Sequence, residues 1–139
     1  QRSEKTASYL EAQGMEAFVT GKAAPTCIGR KPELPAAQVA ADGIRAQDPA
    51  GVARFGRHVA GLAPPVIDAL PDIEAPSLVV VGAEDKAYLR AGDVMAAKLP
   101  NSRHALIPGA GHILNIEATD AFNALVLEFL AEIAEGSGL

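Results

Sequence analysis

The chain has 139 residues, of which 49% are hydrophobic and 21% charged, with a net charge of −5. This suits a globular domain with a real core, and the acidic balance, the lack of a basic run and 4% aromatic content argue against a nucleic-acid partner. No apolar run approaches the ~20 residues of a membrane span. The start, Gln1-Arg2-Ser3-Glu4-Lys5, lacks the apolar stretch of a signal peptide. A single Cys27 excludes an internal disulfide and fits a reducing, cytoplasmic compartment.

Residues 1–65 read as helices broken by Pro and Gly. Ser3 and Thr6 are candidate caps for a first helix to about Val19, with Leu10, Gly14 and Phe18 on its apolar side. Gly21, Pro25, Gly29 and Pro32 mark a loop. Pro35 suits the first position of a second helix, through Val39 and Ile44 to about Gln47. Asp48-Pro49 is a cap followed by Pro at the next helix start, and Val52, Phe55 and Val59 share one face of that helix. Gly61 and Pro64-Pro65 end the stretch, and a short helical piece from Val66 to Leu70 leads to Pro71.

The pattern changes at Pro76. Leu78-Val79-Val80-Val81 does not alternate, as expected of a strand buried on both faces of a parallel sheet. A helix over 86–99 offers Leu89, Met95 and Leu99 for packing, and Pro100-Asn101 stops it. A second strand runs from about Arg103 to Ile107. The last helix carries Phe122, Leu125, Val126, Phe129, Leu130 and Ile133 at spacings of three and four. Residues 136–139 read as a frayed end. The fold class is therefore α/β: a helical segment over 1–65, then β-α-β-α over 66–139. Two strands are too few for a finished sheet, so the chain is expected to pair with another polypeptide or to be the tail of a larger fold.

Both strands end in Gly-containing turns. Gly82-Ala83-Glu84-Asp85 presents an acid, and Gly109-Ala110-Gly111-His112 presents a histidine. Sites in open parallel sheets form beyond the carboxyl ends of the strands. An acid that accepts a hydrogen bond from one ring nitrogen fixes the tautomer and stabilises the imidazolium formed when the other nitrogen takes a proton. Asp85 and His112 are thus the candidate catalytic residues. The competing reading makes Asp85 the cap of the helix starting near Lys86 and His112 an ordinary loop residue.

Residues 76–130 resemble the carboxyl-terminal part of an α/β-hydrolase-fold enzyme. The shared pattern is Pro-x-Leu-Val-Val-x-Gly-x-x-Asp, an amphipathic helix, a strand ending in Pro-Gly-Ala-Gly-His, and a helix ending in a Phe-Leu pair. Leu70 to Pro76 resembles the lead-in to this strand. Residues 1–60 resemble the family's helical cap more weakly, most closely at Gly14-Met15-Glu16-Ala17-Phe18. The resemblance implies that Asp85 is the triad acid and His112 the triad base.

The family's Gly-x-Ser-x-Gly nucleophile elbow has no counterpart among Ser3, Ser8, Ser77, Ser102 and Ser137. Cys27 follows no strand and reads as a buried or incidental thiol. The resemblance thus implies a fragment of a serine hydrolase for a small ester or lactone. It would contribute the acid and histidine but be inactive alone. A second reading is a non-catalytic protein that associates through its open sheet edge, with the missing half or a second copy as partner. A third is a lyase or haloperoxidase on the same fold. No cofactor, metal, nucleic-acid or membrane partner is expected. His58 and His104 receive no role, Glu84 is expected on the far side of its turn, and Glu117 is expected to favour the last helix's amino terminus.

Overall fold

A computed structural model describes residues 2–136, so the end at 137–139 lies outside the described residues. The chain divides into two units, Gln1–Pro65 and Val66–Leu139.

The first unit is helical: α1 (Arg2–Thr20), α2 (Ala24–Cys27), α3 (Pro35–Arg45), α4 (Pro49–His58) and a 3₁₀ turn at Ala60–Leu62. α1 opens at Arg2, ahead of both candidate caps. Gly14 does not lie on a continuous apolar face, as its φ of 73° kinks the helix. The face resets there: Ala7 and Leu10 are buried before the kink, Met15 and Val19 after it. Val19, Ile28 and Ala41 then form one small core, with Ala24, Cys27 and Ile44 packed against it. Asp48 caps α4 as its position suggests, accepting from the N–H groups of Ala50 and Gly51. α4 buries only Ala53, whereas Phe55 and Val59 are exposed, as is Val39 on α3. Periodicity located these faces, yet Val39, Phe55 and Val59 remain more than half exposed.

Charge joins α4 to α1. The Arg57 guanidinium forks onto both oxygens of Glu4, each at 2.9 Å, and donates to Glu11 at 2.6 Å. Arg45 pairs similarly with Glu16. Arg57 holds the Glu4 and Glu11 carboxyls below the ordinary 4.5, and Arg45 does the same for Glu16. A carboxyl depressed in the folded state stabilises above its unfolded value and ceases to as pH falls through its folded value. The first unit should therefore lose stability below about pH 4.5. Each exposed pair is weak and screened by salt. Thermal unfolding followed by circular dichroism across pH 3–6 should show this acid dependence shrinking in Arg57→Ala and at high salt. An unchanged dependence would mean that other carboxyls govern it.

The second unit starts with a 3₁₀ segment at Ile67–Asp72 that contains Pro71. Strand β1 (Ser77–Gly82), helix α5 (Leu89–Lys98), strand β2 (Ser102–Ile107), the short α6 (Leu114–Glu117) and α7 (Thr119–Gly136) follow. β1 and β2 pair in parallel, with Val79 opposite His104 and Gly82 opposite Ile107. Side chains alternate across the strands. Val79 and Val81 face one way and form the core with Leu70 and Leu99, against which Leu89 packs. On the opposite face, Arg103 reaches Glu128 and Glu132 of α7 at 3.2 and 2.9 Å.

Burial on both faces of β1 is not observed: Leu78 and Val80 are only half-buried. β1 has one neighbour, and among the described residues no strand pairs with its other edge. Met95, expected in the core, is 41% exposed. α7 has the strongest helical periodicity in the sequence, yet it buries no residue fully, and Leu130 is more than half exposed. No helix among the described residues is long and apolar enough to cross a membrane.

Candidate functional site

The candidate site is built on the two loops that leave β1 and β2. After β1 the chain turns tightly: the Asp85 N–H donates to the Gly82 carbonyl at 3.0 Å. The Asp85 carbonyl in turn accepts from the N–H groups of Tyr88 and Leu89, which starts α5. α5 has no side-chain cap, so Asp85 does not serve as one. Its carboxylate is directed at His112 instead.

Backbone bonds zip the two loops together. Ala83 N–H donates to the Ile107 carbonyl and Glu84 N–H to the Ala110 carbonyl, both at 2.9 Å. Gly82 makes this approach possible. A Cβ there would lie 2.3 Å from the Gly111 carbonyl oxygen and 2.4 Å from that of Ala110. The result is an Asp85 Oδ2–His112 Nδ1 distance of 2.8 Å. The Asp85 side chain is 10% exposed and that of His112 32% exposed. With the carboxylate ionised, Nδ1–H donates, which leaves Nε2 as the basic nitrogen. No protein group among the described residues bonds Nε2. The Tyr88 ring lies against the imidazole, centroid to centroid 4.6 Å, at 37°.

A groove of ≈ 330 Å³ runs from this pair along the unpaired edge of β1; Leu78, Val80, Tyr88 and Met95 line it with Asp85 and His112. Among the described residues no three His, Cys, Asp or Glu side chains gather as metal ligands.

The other candidates fall outside the pair. Glu84 is exposed and contributes only its backbone N–H. His58 is exposed on α4. His104 Nε2 is buried without a partner, and its Nδ1 lies 3.8 Å from Asp93. Burial raises the Cys27 thiol, the reverse of an activated nucleophile. Ser8, Ser77 and Ser102 donate to Glu4, to the Ala75 carbonyl and to the end of α5, respectively. Glu117 was expected to favour the amino terminus of the last helix. It lies instead in α6, buried, with Oε2 accepting from Gly111 N–H at 3.0 Å. No local pattern announces that contact, because the donor is a backbone group brought over it by the loop.

Solved structures share this arrangement of elements. MenH from S. aureus superposes with a TM-score of 0.82 at 27% identity, over 94% of this chain and 50% of that one. The enol-lactonase from Burkholderia xenovorans LB400 gives 0.75 at 27% identity, over 91% and 49%. These are α/β-hydrolase family members. The chain belongs to the α/β-hydrolase-fold superfamily. It has the carboxyl-terminal part of that fold, ahead of which lies a helical segment. A curated relative, the putative 2-succinyl-6-hydroxy-2,4-cyclohexadiene-1-carboxylate synthase of Bacillus subtilis (strain 168), is 27% identical over 95% of this chain. The chain spans about half the length of the relatives it matches: 49% of that synthase and 50% of MenH. No family model matches the sequence.

Proposed function

We propose that the chain supplies the acid and the base of a serine-hydrolase triad, Asp85 and His112, to a nucleophile carried by sequence outside these 139 residues. The observation that carries this reading is the 2.8 Å Asp85–His112 contact at the carboxyl ends of two adjacent parallel strands. Asp85 orients the imidazole. His112 Nε2 takes the serine proton as the oxygen attacks an acyl carbon, then returns it to the leaving oxygen. Water attacks the acyl-enzyme by the same proton path in reverse. On this reading the unpaired edge of β1 receives the next strand of the sheet, and the helical first unit is the cap segment. Small esters and lactones are the proposed substrates, in keeping with a thermophilic esterase from Thermogutta terrifontis (25% identity, TM-score 0.78) and the enol-lactonase.

A non-hydrolytic reaction on the same pair is the second reading. It is favoured by the curated relative's name as a putative synthase and by a putative non-heme bromoperoxidase from Mycobacterium tuberculosis H37Rv among the similar structures, at 25% identity. A fluorophosphonate probe on the complete protein tests the triad itself. Labelling should be strong, and His112→Ala should reduce it by several orders of magnitude. Labelling undiminished in that variant would remove His112 from the mechanism. Product analysis on ester and lactone panels then separates hydrolysis from the second reading.

A further inference from the structure

Among the described residues Glu117 is the most deeply buried charged residue, 5% exposed, although it sits in a four-residue helix. A buried carboxylate is unfavourable unless it is hydrogen-bonded, so its partners show what it is for. One partner is the N–H of Gly111, the residue before His112. The residue before that, Ala110, is fully buried, and its carbonyl accepts from Glu84, the residue before Asp85. The segment 110–112 is thus held on one side by the backbone of the acid's loop and on the other by the Glu117 carboxylate.

We infer that Glu117 is a positioning residue for the Asp85–His112 pair: its carboxylate anchors Gly111 and so sets how far His112 Nδ1 lies from Asp85. A charge-assisted bond to a backbone N–H is among the stronger hydrogen bonds available. Glu117 lies five residues beyond His112 and bonds the backbone N–H of the residue before it, so it acts through the loop. Its consequence for catalysis rests on the triad reading above. Its effect on geometry does not, because the pair is present in this chain without a nucleophile.

Proton NMR of the full chain separates the two. A histidine Nδ1–H bonded to a carboxylate gives a resolved downfield resonance, and the Gly111 amide reports its own bond by exchange with solvent. Glu117→Asp withdraws the carboxylate by one methylene and should speed Gly111 exchange at least about tenfold, with loss or broadening of the His112 signal. Glu117→Ala should do the same, while amides in the middle of the strands keep their protection. Glu117→Gln retains an acceptor and should preserve both signals. In the complete enzyme the Asp variant should lower kcat with KM little changed, and Gln should restore it.

A His112 resonance that stays in place while Gly111 exchanges freely would make Glu117 a structural residue only. So would a Gly111 amide that remains protected in the Asp variant. If the Ala variant does not fold, the Asp and Gln variants decide. A complete protein without serine labelling, combined with a His112 signal that still depends on Glu117, would sink the triad reading and leave this inference standing.

Discussion

On the proposed triad reading, Asp85→Asn is expected to lower the hydrolytic rate of the complete protein by about 10⁴-fold with the fold unchanged. The carboxylate accepts the Nδ1 proton at 2.8 Å, and its side chain is mostly buried. An amide can present its NH₂ to Nδ1, which favours the tautomer with the proton on Nε2. That nitrogen is then a donor where a base is needed. The imidazolium formed during proton transfer also loses its counter-charge in partly desolvated surroundings. Because asparagine matches aspartate in shape, the turn built on the Asp85 carbonyl should persist. The check is kcat/KM on the complete protein, with circular dichroism and melting as controls. A loss below tenfold with the fold intact would show that Asp85 does not orient the base.

Gly82→Ala should damage both stability and the site. The added carbon would meet two carbonyl oxygens and the Ala110 carbonyl carbon, at 2.3 to 2.7 Å. All three are backbone atoms of a loop that is itself anchored, so no side-chain rotation relieves the clash. The two loops must separate, which strains the Glu84–Ala110 and Ala83–Ile107 bonds and pulls His112 from Asp85. Overpacking of this kind costs roughly 3 kcal/mol, measurable as a lower denaturant midpoint with unchanged slope. The His112 downfield proton should vanish even in the fraction that remains folded. A variant of native stability that retained the resonance would show that the loops do not depend on this approach.

The candidate pair was legible because its signals are local. An apolar run ending in a Gly turn marks the carboxyl end of a buried strand, and the first polar residues beyond it lie at the sheet edge. Pro35 and Asp48-Pro49 were legible for the same reason, since a Pro at a first turn and a cap act within a few residues. The Gly14 kink was not, because glycine fits a helical pattern by spacing and breaks it only through its own φ.

Faces were located but their covering was not. Periodicity assigned Phe55 and Val59 to one side of α4, and Leu130 to the apolar side of α7; all three are more than half exposed. A helical pattern records which residues point together and carries no information about what lies opposite. For the half-buried Leu78 and Val80, the apolar run specifies a strand meant for two neighbours, and this sheet supplies one.

By itself the sequence determined the α/β class, the two strands, and an acid and a base at their ends, since propensity, turn chemistry and capping depend on neighbours in the chain. Only the tertiary structure decided that Asp85 binds His112 rather than capping α5, and that Glu117 holds the Gly111 amide. Those choices depend on backbone groups from separate loops meeting within hydrogen-bond distance, and parallel pairing of β1 with β2 is what brings them there.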